Sequence, residues 1–319
     1  MPQIIIGIDI AKLKFDVARL CEGKYKHAKF ANNAEGFADF ILWLNRFGDT
    51  DVRLCMEATG TYSLALAESL TGQGYFVSVI NPAQIHAFGR SELSRTKTDK
   101  ADAKLVARYG LQAQLDRWTP LPANIRCLQA MTRRLEHLLE MHRMEQNRLE
   151  TADTAIIPSI NAVLATLNTE LKATRQAIRD HIDNDPGLKQ RSDLLESIPG
   201  IGHATIPYLL VAMSPHHGYA NAKQIVAHAG LAQAIRQSGQ WTGKTRLAKN
   251  GDPRLRKALY MPALVDWKYN PAIRASCQQL KTNGKNGKLI VCAAMRKLIH
   301  LAFAILKSGK PFDPDFSLA

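Results

Sequence analysis

The chain has 319 residues, 46% of them hydrophobic, and 42 Lys and Arg against 28 Asp and Glu give a formal net charge of +14. That length suits two cores better than one, and no apolar run reads as the roughly 20 residues of a membrane span. Five scattered cysteines without a CxxC pair argue against a disulfide framework or a zinc site and fit a reduced, cytoplasmic setting; the chain enters a strand at once, so no leader is expected.

The surplus of positive charge is not spread evenly. Residues 188–319 hold 19 Lys and Arg against 6 Asp and Glu, whereas residues 1–187 are nearly balanced. A basic C-terminal part points to a nucleic-acid partner.

In chain order, residues 3–9, 14–20 and 25–31 read as three short strands, with Cys21-Glu22-Gly23-Lys24 as a hairpin turn. A helix follows over 35–46, where Phe37, Phe40, Ile41 and Leu44 recur at helical spacing. Residues 52–57 form a fourth strand, 62–73 a helix, and 75–80 a fifth strand that Asn81-Pro82 ends. Three antiparallel strands followed by alternating helices and strands is the order of an α/β ribonuclease-H-like fold. In that fold the first and fourth strands are neighbours.

Four acids stand out against this pattern. Asp9 lies inside the apolar run IIIGIDI, and Glu57 ends the run VRLCME. Asp99 and Asp102 are three apart at the start of a helix, so they share a face. Carboxylates brought together repel unless a cation joins them, and an oxygen-only set suits Mg²⁺ or Mn²⁺. Such a set is common equipment for moving phosphodiester bonds. Lys97 and Lys100 flank the helical acids.

Residues 120–187 change character. Leu128, Met131, Leu135, Leu138, Leu149 and Ala152 trace one apolar stripe, and Ile160, Leu164, Leu167, Leu171, Ile178 and Ile182 trace another. The two helices make a hairpin, either a dimerising coiled coil or an internal packing unit. A narrow stripe with few other surfaces to meet tilts the expectation to a dimer.

The third region opens with Ile198-Pro199-Gly200-Ile201-Gly202 before a helix over 203–213. It reads as a helix-hairpin-helix whose Gly200 and Gly202 let backbone N–H groups meet a DNA phosphate, or as an ordinary helix-loop-helix turn. His228-Ala229-Gly230-Leu231 and a loop with Gln237-Ser238-Gly239-Gln240 follow. Lys244, Arg246, Lys249, Arg254 and Arg256 cluster after that loop, and Asp252-Pro253 caps a helix start. Helices over 253–268 and 287–307 supply core. The histidines show no metal-ligand spacing.

Taken jointly, GIDIAK, MEATGTY, DKADAKLVARYG, IPGIG, HAGL, QSG and NGDPRLRKALY span nearly the whole chain. On these segments it resembles the transposases of the insertion-sequence family that use a bridge RNA, relatives of Piv-type DNA invertases. The resemblance implies a RuvC-like catalytic domain at 1–119, the helical hairpin at 120–187, and a mainly helical transposase domain at 188–319. It implies that Asp9, Glu57, Asp99 and Asp102 are the metal-binding set and that Ser238 becomes joined to DNA. Arg236, Lys244, Arg246 and Lys249 are then the right residue types to neutralise a phosphorane. The implied partners are donor and target DNA, a structured guide RNA, and further copies of the chain, a dimer assembling to a tetramer, in a bacterial cytoplasm at the nucleoid. Between HAGL and QSG the family often carries a proline, and here Ala232 to Arg236 contain none. A covalent intermediate conserves bond energy, in keeping with the absence of a GxxxxGK[ST] phosphate loop. The competing expectation is a RuvC-like nuclease that activates water and leaves the serine idle.

Overall fold

Alternating side chains decide the architecture of the first 120 residues. The computed structural model describes residues 4–49, 51–58, 60–93, 98–235, 237–239, 241–243 and 246–313. The chain divides into two compact units, Met1–Pro120 and Leu121–Ala319.

The first unit runs β1 (Ile4–Ile10), β2 (Lys14–Cys21), β3 (Lys24–Ala31), α1 (Ala34–Asn45), β4 (Val52–Glu57), α2 (Leu64–Gly72), β5 (Phe76–Ile80), α3 (Pro82–Ser91) and α4 (Asp99–Gln112). The sheet order is β3-β2-β1-β4-β5. β1, β2 and β3 pair antiparallel, while β4 pairs parallel with both β1 and β5. The β2–β3 turn has positive φ at Glu22 (49°) and Gly23 (76°), the geometry of a type I′ hairpin. Asn81-Pro82 ends β5 and also starts α3: the Asn81 side chain accepts a hydrogen bond from the Ala83 N–H at 2.9 Å, and Pro82 occupies the first turn.

Strand side chains point to opposite faces in turn. Ile4, Ile6, Ile8 and Ile10 pack with Phe40 of α1 and Leu66 and Leu70 of α2. Ile5 packs on the other face with Cys55, Val106 and Ala107. Gly7 and Asp9 therefore share the face that α4 covers. Gly7 has no room for a side chain, because a Cβ there would lie 2.1 Å from the Ala103 carbonyl oxygen and 2.3 Å from the Ala107 nitrogen. Both are helix backbone, so α4 would have to lift. Gly110 presses on side chains instead, Cys55 Sγ at 2.6 Å and Ile5 at 2.9 Å. Gly7→Ala is thus expected to cost about 3 kcal/mol or more and to exceed the cost of Gly110→Ala. Denaturant unfolding of the two variants checks the order, and equal costs would show that α4 yields freely.

The second unit runs α5 (Ala123–Glu150), α6 (Ile157–Asp183), α7 (Pro186–Glu196), α8 (Ile206–Ala212), α9 (Ala222–His228), β6 (Gln233–Ala234), β7 (Gln237–Ser238), β8 (Trp241–Thr242), β9 (Arg246–Leu247), α10 (Pro253–Ala258), α11 (Tyr260–Tyr269), α12 (Pro271–Thr282) and α13 (Gly287–Ser308). The helical hairpin is α5 and α6, and its stripes bury within the one chain. Leu138 packs with Leu167 and Leu171, and Ile125, Leu128, Ile178 and Ile182 join the core of α7 to α13. The internal packing reading of the hairpin thus holds for these residues.

One apolar stretch is longer than the sequence reading allowed. By length and composition α13 would cross a membrane, but half of its most apolar window is buried in the fold. Ile290, Val291, Met295, Leu298 and Ile305 are the centre of the unit's core, which accounts for its hydropathy without a bilayer.

Candidate active site

The alternation in β1 and the packing of α4 bring the acids to one face of the sheet. Ile8 of β1 pairs with Met56 of β4, so Asp9 and Glu57, one residue further along each strand, end neighbouring strands side by side. Glu57 shares a face with Cys55, the α4 face. On α4, Ala103, Val106, Ala107 and Gly110 are buried, and Asp102, just before them, lies at the same seam. Thr98 caps the helix, its hydroxyl accepting from the Ala101 N–H at 3.2 Å. Asp99 and Asp102 occupy the first turn, where the helix dipole favours negative charge. Asp9, Glu57 and Asp102 are half-buried and Asp99 is exposed.

Asp9 feels its neighbours. Burial, then the charges of Asp102, Asp99, Glu57 and Asp16, push its carboxyl up to about 6. Asp16 was not foreseen, and neither was Lys14. Asp16 sits opposite Asp9 in the β1–β2 register. Lys14, two residues earlier on the same face, bonds the Asp99 carboxylate and lies 3.6 Å from Asp16. Its hydrogen bond holds Asp99 below the usual carboxylate range. The alternation in Lys14-Phe15-Asp16-Val17 was the signal that would have found both.

The donor chemistry fits a hard divalent cation: oxygen ligands only, with a charge excess that raises Asp9. The set is not preassembled. Among the described residues no group of three or more His, Cys, Asp or Glu is placed to hold a metal ion, and the Asp99 carboxylate is taken by Lys14.

Ser238 belongs to the second unit, on a β-hairpin arm. β6 pairs with β9, and further out β7 pairs with β8, which sets Ser238 across from Trp241. Ser238 is exposed, Gly239 beside it has φ of 55°, and Ile235 and Trp241 are 61% and 60% exposed. An exposed hydroxyl flanked by uncovered apolar side chains suits contact with a large partner. Arg236 and Lys244 lie outside the described residues. Arg246 and Lys249 are exposed near the arm, Lys249 with φ of 56°.

The base of the arm is locked by two of the sequence motifs. The Ala248 N–H donates to Ala232 and the Lys249 N–H to Gly230. A Cβ on Gly251 would lie 2.2 Å from the His228 oxygen and 2.5 Å from the Gly230 nitrogen. HAGL and NGDP thus interlock at a joint that admits no side chain there. Arg256 donates to the Ala229 carbonyl at 2.9 Å, and Arg254 pairs with Glu136 of α5 at 2.8 Å. Arg254 keeps part of its side chain exposed beside that pair, and Arg256 is part-buried. His217 stacks on Tyr219 and His228 packs tilted against it, and burial lowers both imidazoles, which keeps them neutral packing groups.

Gly200 divides the glycine pair. Its φ is 80°, and a Cβ there would meet the Pro262 carbonyl at 3.0 Å and Val265 at 3.3 Å. Its freedom serves packing against α11. Gly202 has open space around it.

Comparison with known proteins covers both units. Residues 6–158 match a family described as Transposase, of the DEDD, IS110 type. Residues 192–278 match a family described as Transposase IS116/IS110/IS902. The chain is 34% identical to the pilin gene-inverting protein of Moraxella bovis over 98% of each chain, and equally to that of Moraxella lacunata. It is 22% identical to the transposase for insertion sequence element IS1111A of Coxiella burnetii, over 80% of this chain and 75% of that one.

Proposed function

Because the chain belongs to the IS116/IS110/IS902 transposase family, we propose that it recombines DNA by strand exchange, with Ser238 as nucleophile and the acids around Asp9 as the phosphate-handling set. The observation that carries this reading is the placement of Asp9 and Glu57 on paired strands β1 and β4, with Asp99 and Asp102 in the first turn of the helix that covers β1, all in the segment the first family match covers. The strand order β3-β2-β1-β4-β5 supports a RuvC-like, ribonuclease-H-like assignment for that unit.

In the proposed reaction the Ser238 Oγ loses its proton and bonds to the scissile phosphorus. The bond from phosphorus to the 3′ oxygen breaks, and that oxygen takes a proton to become a free hydroxyl. The hydroxyl of one DNA then attacks the phosphoserine of the other, forming a new phosphodiester and returning the proton to Ser238. Mg²⁺ or Mn²⁺ held by Asp9, Glu57, Asp99 and Asp102 would supply positive charge for the phosphate. Lys14 steadies Asp99, and Arg236, Lys244, Arg246 and Lys249 are the residues that would oppose developing negative charge at the serine.

A guide RNA pairing with both DNAs would read sequence, while the basic unit reads backbone. The charge of residues 188–319 and the family likeness support that partner. Dimers and tetramers are the proposed assembly; Met141, Met144 and Val163 of the helical hairpin are exposed and offer an apolar contact.

The test is recombination itself. Donor and target DNA are incubated with the protein, expressed together with the DNA flanking its gene so that any RNA is made, and junctions are amplified. Junction products lost on Asp9→Asn support the reading. Cut ends without junctions would favour the water-activating nuclease.

A further inference from the structure

Helices α11 and α12 border an open groove of about 730 Å³, lined by Met261, Val265, Trp267, Lys268, Tyr269 and Arg274 among others. Its side chains are unusual for a protein surface. Tyr269 is 71% exposed and Met261 63%, while Trp267 is half-buried against the core and also lines the groove. Aromatic groups left in water at this level mark a contact surface.

The charge around the groove is of one sign. From Trp267 to Phe312 the sequence holds nine Lys and Arg and no Asp or Glu. The nearest acid on α11, Asp266, is fully buried; burial pushes it up to about 7, and its Oδ1 accepts from Asn270 at 3.0 Å. It adds little negative charge to the surface.

We propose that this groove binds an unpaired stretch of DNA strand, its bases stacking on the exposed ring of Tyr269 beside Trp267 and its phosphates meeting Lys268, Arg274 and Lys281, which also line the groove. Rings give stacking planes that accept any base, and cations spaced along a groove track a backbone. A duplex keeps its bases stacked on each other and has no use for such rings. A second copy of the chain would bring like charges together. The proposal rests on the family's action on DNA, which must separate strands to exchange them. It is built from residues other than Ser238 and the acids.

Binding tests it without recombination, so an inactive recombinase with an intact groove still reports. The full-length protein is titrated into fluorescein-labelled oligothymidylate, a duplex of mixed sequence, oligouridylate, and phosphatidylglycerol vesicles. Tyr269→Ala, at an exposed position, is expected to weaken oligothymidylate binding at least about fivefold, with duplex binding unchanged. Tyr269→Phe keeps the ring and is expected to bind as the parent does. Arg274→Gln is expected to reduce the salt slope by about one. Equal losses on duplex and single strand, or no loss on either, overturn the proposal. So does a Tyr269→Ala loss on oligouridylate or vesicles as large as that on oligothymidylate.

Discussion

Asp9→Asn is expected to abolish strand exchange and, at the same time, to stabilise the N-terminal unit at pH 7. The functional loss follows from position. Asp9 is the carboxylate on which Glu57, Asp99 and Asp102 converge, and removing a central charged group from such a set typically costs on the order of 10³-fold or more. The stability gain follows from the same crowding. The folded unit holds the Asp9 proton up to about pH 6, whereas the ordinary carboxyl value is 3.8. Between those values the unfolded chain has already lost its proton and the folded chain has not, so stability falls as pH rises through that window. Above about pH 6 the whole penalty is present. Discounted for partial exposure, it is about 1 kcal/mol. Asn carries no charge, so the variant escapes the penalty at pH 7 and gains nothing at pH 4. Urea unfolding at the two pH values measures this. A variant that is less stable at pH 7 would show that the carboxylates do not crowd Asp9.

Ser238→Ala is expected to lose strand exchange by about 10⁴-fold or more with no change in stability beyond about 0.5 kcal/mol. The hydroxyl is exposed on the arm, and the HAGL–NGDP joint at its base does not involve it. A nucleophile has no substitute within a methyl group, whereas a turn residue tolerates the change. Parallel thermal melts and junction assays separate the two roles. Exchange that survives Ser238→Ala would return the serine to a structural part and leave water as the attacking group.

The difference in how these two sites were legible is physical. Asp9 and Glu57 sit in apolar runs whose two-residue period fixes their face, and the register of β1 with β4 does the rest. Lys14 and Asp16 carry the same period but read as the polar half of an ordinary strand, and only the register opposite Asp9 gives them meaning. The Ser238 arm is built from strands of two residues, too short for any period, so its importance came through family likeness alone. Asn81-Pro82 reads as a stop because proline ends strands, and the same pair caps α3. The helical hairpin is visible as two stripes, but a stripe does not name its partner; Ile125, Leu128, Ile178 and Ile182 meet the core that includes α7 and α8. Arg254 and Arg256 look like phosphate ligands in the sequence, and in the fold Arg254 also pairs with Glu136 while Arg256 donates to the Ala229 carbonyl.

The most direct measurement looks for DNA joined to the protein. Labelled donor and target DNA are incubated with the protein, its flanking RNA-coding DNA product and Mg²⁺, and run on a denaturing gel beside Ser238→Ala. A protein-linked DNA band that is absent from the variant is the predicted result. Cleaved DNA with no such band, identical in the two lanes, would contradict serine-based strand exchange.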